Sequence, residues 1–200
     1  MTVTNANQIS NYITLQMSPA IALDQDSLFD FCQLNPHLRI ERTATGKLII
    51  MPPAGSETGN RNFRLIQQLA NWTDRDGTGI GFDSSAGFVL PNGATRSPDA
   101  SWVKLAKWNA LSDAQKAKFA PICPDFVVEI ASPSDDLATL QNKMQEYIDN
   151  GASLGWLIDR PSRQVYVYVP NQDLETLDNP VAINGGSLLF GFDLDLTKIW

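Results

Sequence analysis

Apolar positions along the chain change their spacing several times, and each change marks an element. Asp24-Gln-Asp-Ser-Leu-Phe-Asp-Phe-Cys-Gln-Leu predicts a short helix with acidic capping residues and Leu28, Phe31 and Leu34 on one side. Leu38 to Arg42 and Lys47 to Met51 are β-rich runs around Thr43-Ala-Thr-Gly46, which predicts a hairpin with Gly46 in its turn, closed off by Pro52 and Pro53. Residues 57 to about 74 return to helical spacing, with Leu65, Leu69 and Trp72 beside Phe63, Ile66 and Ala70, and Ser56 or Thr58 as caps. Gly77-Thr-Gly-Ile-Gly81 stops that helix and reads as a flexible turn.

Short runs at Phe82, Phe88 to Leu90 and Pro98 to Val103 follow, divided by Asn92-Gly93, and read as neighbouring antiparallel strands. A small polar helix is expected at Ser112 to Lys118. The most strand-like run, Asp125-Phe-Val-Val-Glu-Ile-Ala, belongs in the centre of a sheet. Ser132-Pro-Ser-Asp-Asp starts a helix that runs to about Asn150 and stops at Gly151; Leu154 to Ile158 and Gln164 to Val169 are two further strands. The pattern is that of a single α+β domain over residues 1–200, with no repeats and no low-complexity tract.

Composition narrows the classes. With 43% apolar residues, 18% charged residues and five Trp, the chain has a folded globule's mix, and residues 1–23 alone carry a weak signal. The net charge of −7 argues against tight, non-specific binding of polyanions, yet carboxylates gathered around a metal ion would produce such a balance. Cys32 and Cys123 lie far apart without a neighbouring Cys or His, so free thiols in a reducing cytoplasm are expected rather than a zinc site. Met1 to Asn7 lacks a basic segment followed by an apolar run, and no stretch is apolar enough to span a bilayer. His37 is the only histidine, which excludes Ser-His-Asp and Cys-His hydrolysis.

Three charged residues occupy positions where the local pattern calls for apolar ones. Glu129 lies mid-strand, sharing a face with Val127 and Ala131 while Phe126, Val128 and Ile130 take the other. A carboxylate there needs a cation or hydrogen bonds. Asp99 follows Pro98 at the entry to the strand carrying Trp102 and Val103, and two carboxylates on adjacent strands suit a hard divalent ion. Asp125 also follows a proline, but it lies about 13 Å from Glu129 along one strand, too far to share an ion. Lys143 shares a helical stripe with Asp136, Leu140 and Tyr147, a half-buried place for an ammonium. Beside a metal-bound water or a phosphate it could lower the water's pKa, orient the water or stabilise transition-state charge. Arg61, Arg64 and Arg96 are candidates for phosphate contacts.

Gly46-Lys-Leu-Ile-Ile-Met-Pro-Pro, Arg96-Ser-Pro-Asp-Ala-Ser-Trp-Val, Pro124-Asp-Phe-Val-Val-Glu-Ile-Ala-Ser-Pro-Ser-Asp, Lys143 to Tyr147 and Gly155-Trp-Leu-Ile-Asp together resemble the Uma-type family of restriction-endonuclease-like proteins, in order over residues 24–170. That family is assigned to the PD-(D/E)XK nuclease superfamily. The resemblance implies a mixed central β-sheet flanked by helices, with an N-terminal helix and β-hairpin, and DNA phosphodiester cleavage with Mg²⁺ (or Mn²⁺). It matches Asp99 and Glu129 to the two metal-binding acids, the Ile130 carbonyl to a third ligand and Glu57 to an accessory acid. The motif's lysine would fall at position 131, where this chain has Ala131, and the resemblance assigns its place to Lys143. Two readings follow: a metal-dependent endonuclease, or a nuclease-fold binding or assembly module without turnover. Phe190, Phe192 and Trp200 are candidates for a homodimer contact.

Overall fold

The computed structural model describes residues 12–17, 21, 23–133 and 135–200, so the reading of Met1 to Asn7, and Ser134 within the predicted helix start, lie outside the described residues. The chain runs β1 (Ile13–Leu15), α1 (Gln25–Leu34), β2 (Arg39–Arg42), β3 (Leu48–Met51), α2 (Ser56–Asp76), β4 (Gly79–Asp83), β5 (Phe88–Val89), β6 (Thr95–Arg96) and β7 (Ala100–Lys104). It continues through α3 (Leu105–Asn109), α4 (Asp113–Lys116), β8 (Phe126–Ala131), α5 (Leu137–Asp149), β9 (Leu154–Asp159), β10 (Gln164–Tyr168) and β11 (Glu175–Asp178). A small ribbon of Ala182–Asn184 with Asp193–Asp195 follows.

Two sheets organise these elements. The larger has the order β11-β10-β9-β8-β7-β4; β8 and β9 run parallel, joined through α5, while the remaining pairs are antiparallel. The smaller has the order β1-β3-β2-β6-β5. Strand alternation divides the core. Phe126, Val128 and Ile130 pack with Trp102, Trp156 and the α2 residues Leu65, Leu69 and Trp72 on one face. Val127, Ala131 and Leu157 meet Met144 and Tyr147 of α5 on the other. Glu129 shares the α5 face with Val127 and Ala131, so it stands among apolar neighbours in the middle of the fold.

Several expectations need correction. The long helix is capped by neither Ser56 nor Thr58: its N-cap is Gly55, without a side-chain bond, and it continues to Gly77, whose φ of +68° ends it. Gly79 and Gly81 are not a flexible turn. They belong to edge strand β4, where the missing side chain of Gly79 leaves room for the Trp102 indole to lie against the backbone. Phe88 to Arg96 and Ala100 to Val103 are not neighbours in one sheet, because the Ser97-Pro98-Asp99 segment carries the chain from the smaller sheet to the larger. Helix α3 is an element that the apolar spacing does not predict. Leu34 is exposed, so the buried stripe of α1 narrows to Leu28 and the half-buried Phe31. Of the aromatics put forward for a homodimer contact, Phe192 is core and Trp200 packs against it; Phe190 alone is open, at 84% exposure. Among the described residues, no helix is long and apolar enough to cross a membrane, and Cys32 and Cys123 are free thiols.

A Cβ on Gly79 would run into the Trp102 ring and the Val103 carbonyl. Gly79→Ala is therefore expected to destabilise the protein by about 1–3 kcal/mol, the usual cost of overfilling a packed site, measured as a lower urea midpoint with unchanged slope.

Candidate active site

The β7–β8 register positions the two acids. Ala100 pairs with Val128, so one step further the antiparallel register sets Asp99 opposite Glu129 on the same face. The backbone ladder stops there, and the side chain of Asp99 takes its place: Oδ2 accepts the Ile130 amide at 2.9 Å. Asp99 Oδ1 accepts from Asn62 Nδ2 of α2 at 3.2 Å and lies 3.5 Å from Arg39 Nη2 of β2. Three separate elements thus hold this buried carboxylate. The amide and carbonyl of one residue leave a strand on the same edge, so the Ile130 carbonyl faces the Asp99 side.

Glu129 is held from α5. Its Oε1 lies 2.7 Å from the Lys143 ammonium and accepts the Tyr147 hydroxyl at 3.1 Å. Burial pushes its carboxyl up to about 7; Lys143 pulls the other way, and the nearby charges of Asp99 and Glu41 add to the rise. Burial also works against the charge on Lys143, but Glu129 and Glu41 outweigh it and hold its pKa above the ordinary lysine value. The lysine is an ammonium at neutral pH.

The acid that sequence reasoning missed is Glu41, only 2% exposed on β2. Its Oε1 accepts from Lys143 Nζ at 2.9 Å and from the Ser97 amide at 3.0 Å, and its Oε2 from Arg96 Nη1 at 3.1 Å. Arg96 Nε continues to Glu146 Oε2 at 2.6 Å. Burial raises the Glu41 carboxyl, but Lys143 and Arg96 more than offset it and bring it down to about 2. Nothing local marks this residue: an acid between Ile40 and Arg42 in a hairpin strand has the pattern of a solvated face, and its burial comes from α5 and β6. Arg96 is corrected likewise, since this buried ion pairing leaves it no role in contacting phosphate.

Around the pair lies a cavity of about 360 Å³ lined by Asp99, Glu129, Ile130, Lys143, Asn62 and Arg39, among others. Glu57 is not brought to it. Thr58 and Asn62 are the α2 residues that line it, whereas the Glu57 side chain is 79% exposed and paired with Arg61 at 2.8 Å. Asp125 is equally remote in role, bonded to the Lys104 amide at 2.9 Å. Among the described residues no three His, Cys, Asp or Glu side chains gather as a metal site. The available donors are the two carboxylates and the Ile130 carbonyl. These are hard oxygen ligands of the kind Mg²⁺ and Mn²⁺ take. The local charge fits: Asp99, Glu129, Glu41 and Glu146, four carboxylates, meet three cations, Arg39, Arg96 and Lys143. With one acid in excess, burial, Asp99 and Glu41 together raise the Glu129 carboxyl, and a cation bound there would favour its ionised form.

A family described as "Uma2: Putative restriction endonuclease" matches residues 26–197. Among solved structures, the chain is similar to one described as a "putative nuclease belonging to DUF820 from Anabaena variabilis ATCC 29413", with a TM-score of 0.72 and 17% identity over 89% of this chain and 97% of that one. The shared fold is restriction-endonuclease-like. No curated protein matches the chain.

Glu41→Ala should lower the unfolding free energy at neutral pH by about 1.5–3 kcal/mol, because it takes one of two carboxylate partners from each of two buried cations, leaving Lys143 with Glu129 and Arg96 with Glu146. Its pKa is depressed in the folded state, so the stability it contributes is complete above about pH 4.5 and is lost as pH falls toward about 2. Urea unfolding at a series of pH values should show the gap between wild type and Glu41→Ala narrowing over that window.

Proposed function

Since the chain belongs to the Uma2 family of restriction-endonuclease-like proteins, matched over residues 26–197, we propose that it is a metal-dependent endonuclease hydrolysing phosphodiester bonds, with DNA as its substrate. The observation that carries this reading is the convergence of Asp99, Glu129, Ile130 and Lys143 on one cavity, from two antiparallel strands and the helix that follows. Asp99, Glu129 and the Ile130 carbonyl would hold Mg²⁺ or Mn²⁺. When bound, that ion supplies Lewis-acid polarisation of the phosphoryl group and acidifies a water.

The protein's own groups divide the remaining work. Lys143 stays protonated, so its role is to orient the attacking water and balance charge building on the phosphoryl oxygens, rather than to remove a proton. Arg39, with its side chain 34% exposed at the cavity, is the cation placed to meet the phosphate of an entering strand. The Asp99 carboxylate, fixed by Asn62 and the Ile130 amide, keeps its geometry without help from a ligand. With a net charge of −7, binding should depend on these few contacts and on the metal, so it should be weak and only shallowly salt-dependent, since the salt slope scales with the number of phosphates neutralised.

The second reading, a fold that binds without turnover, is favoured by Ala131 at the motif's lysine position. Incubating wild type with supercoiled DNA and Mg²⁺ or Mn²⁺ separates the two. Cleavage is expected, with Asp99→Asn and Glu129→Gln each losing it by at least about 10²–10³-fold and Lys143→Met by a comparable factor, all three remaining folded. Equal cleavage by wild type and the carboxylate variants would refute the assignment. Metal binding by wild type with no cleavage of DNA or RNA would select the second reading.

A further inference from the structure

The Lys143 ammonium serves two carboxylates at once, 2.7 Å from Glu129 Oε1 and 2.9 Å from Glu41 Oε1. Those two acids differ in what else holds them. Glu41 is anchored independently of the lysine, by the Arg96 guanidinium at 3.1 Å and the Ser97 amide at 3.0 Å, and it reaches the site from the smaller sheet. Glu129 has Lys143 as its only ion-pair partner among the described residues. A lysine committed to Glu129 alone would form a one-to-one pair in a buried setting and cancel the charge that a cation needs.

We propose that Glu41 is a positioning residue for Lys143: by holding the ammonium midway between two carboxylates, it leaves Glu129 with enough negative charge to hold a divalent cation. This rests on the reading of Asp99 and Glu129 as the metal-holding pair. Glu41 touches neither substrate nor metal. Its backbone partner Ser97 lies two residues before Asp99, so the same side chain also ties the segment carrying the first acid to the helix carrying the lysine. The chemical requirement is a fixed anion on the far side of the ammonium, and Glu41 meets it because its two other bonds hold it there.

The test is a double-mutant cycle read by calorimetric Mn²⁺ binding to the full chain, with thermal unfolding as the check on folding. Glu41→Gln keeps an acceptor for the Ser97 amide but removes the charge, so the lysine passes wholly to Glu129, and the Mn²⁺ Kd should rise at least tenfold. Lys143→Met removes the competing ammonium and should tighten Mn²⁺ binding. In the Lys143→Met background, Glu41→Gln should then change the Kd less than threefold, an outcome that a merely structural role would not produce. If Glu41→Gln does not fold, Glu41→Asp, which keeps the charge but shortens the reach to the lysine, replaces it in the same cycle with the same expected sign.

An unchanged Kd in Glu41→Gln, or an equal loss in both backgrounds, overturns the proposal while leaving the metal site intact. Wild type that binds no Mn²⁺ overturns both this proposal and the metal-holding pair. Wild type that binds Mn²⁺ with the expected cycle, yet cleaves no nucleic acid, supports the role of Glu41 and overturns only the nuclease reading.

Discussion

One buried ammonium joins the parts of this protein that matter most. Lys143 rises from α5 between Glu129 of the large sheet and Glu41 of the hairpin, so a single cation links a helix and both sheets. Removing three such charges from water is costly, and the arrangement survives only because each charge finds more than one partner. Glu41 has Lys143, Arg96 and the Ser97 amide; Arg96 has Glu41 and Glu146. The hairpin is therefore part of the site as well as an appendage to the N-terminal helix.

The second constraint is the place where β7 and β8 stop pairing. Within the sheet, backbone groups satisfy one another, and nothing is left for chemistry. Beyond Ala100 and Val128, a side-chain carboxylate instead of a backbone carbonyl receives the Ile130 amide. Pro98, which has no N–H to give, precedes that point, and the opening lets Asp99 and Glu129 share a face beside a cavity. The apolar layers on both sides, Trp102 with Trp72 and Tyr147 with Met144, hold the strands rigid around it.

A protein of net charge −7 whose family is named for DNA cleavage carries its positive charge sparingly. Arg96 and Lys143 are consumed by internal pairs, and Arg61 is tied to Glu57. Arg39 remains partly open at the cavity. Local electrostatics there differ from those of the whole surface, which is where a bound cation would have the largest effect.

The amino-acid sequence determined the elements whose periodicity is local: the hairpin turned at Gly46, the long helix with Leu65, Leu69 and Trp72 inward, and the strand–helix–strand unit around Glu129. It also marked Asp99, Glu129 and Lys143, because a charge amid apolar positions stands out without any coordinates. Tertiary structure alone decided the rest. Glu41 looks like a solvated hairpin acid until α5 and β6 cover it, Glu57 looks like a site acid until the helix turns it to solvent, and Arg96 looks free until two glutamates enclose it. Burial and pairing of a charged side chain are set by what arrives from elsewhere in the chain, some fifty or a hundred residues away here, and no local pattern carries that information.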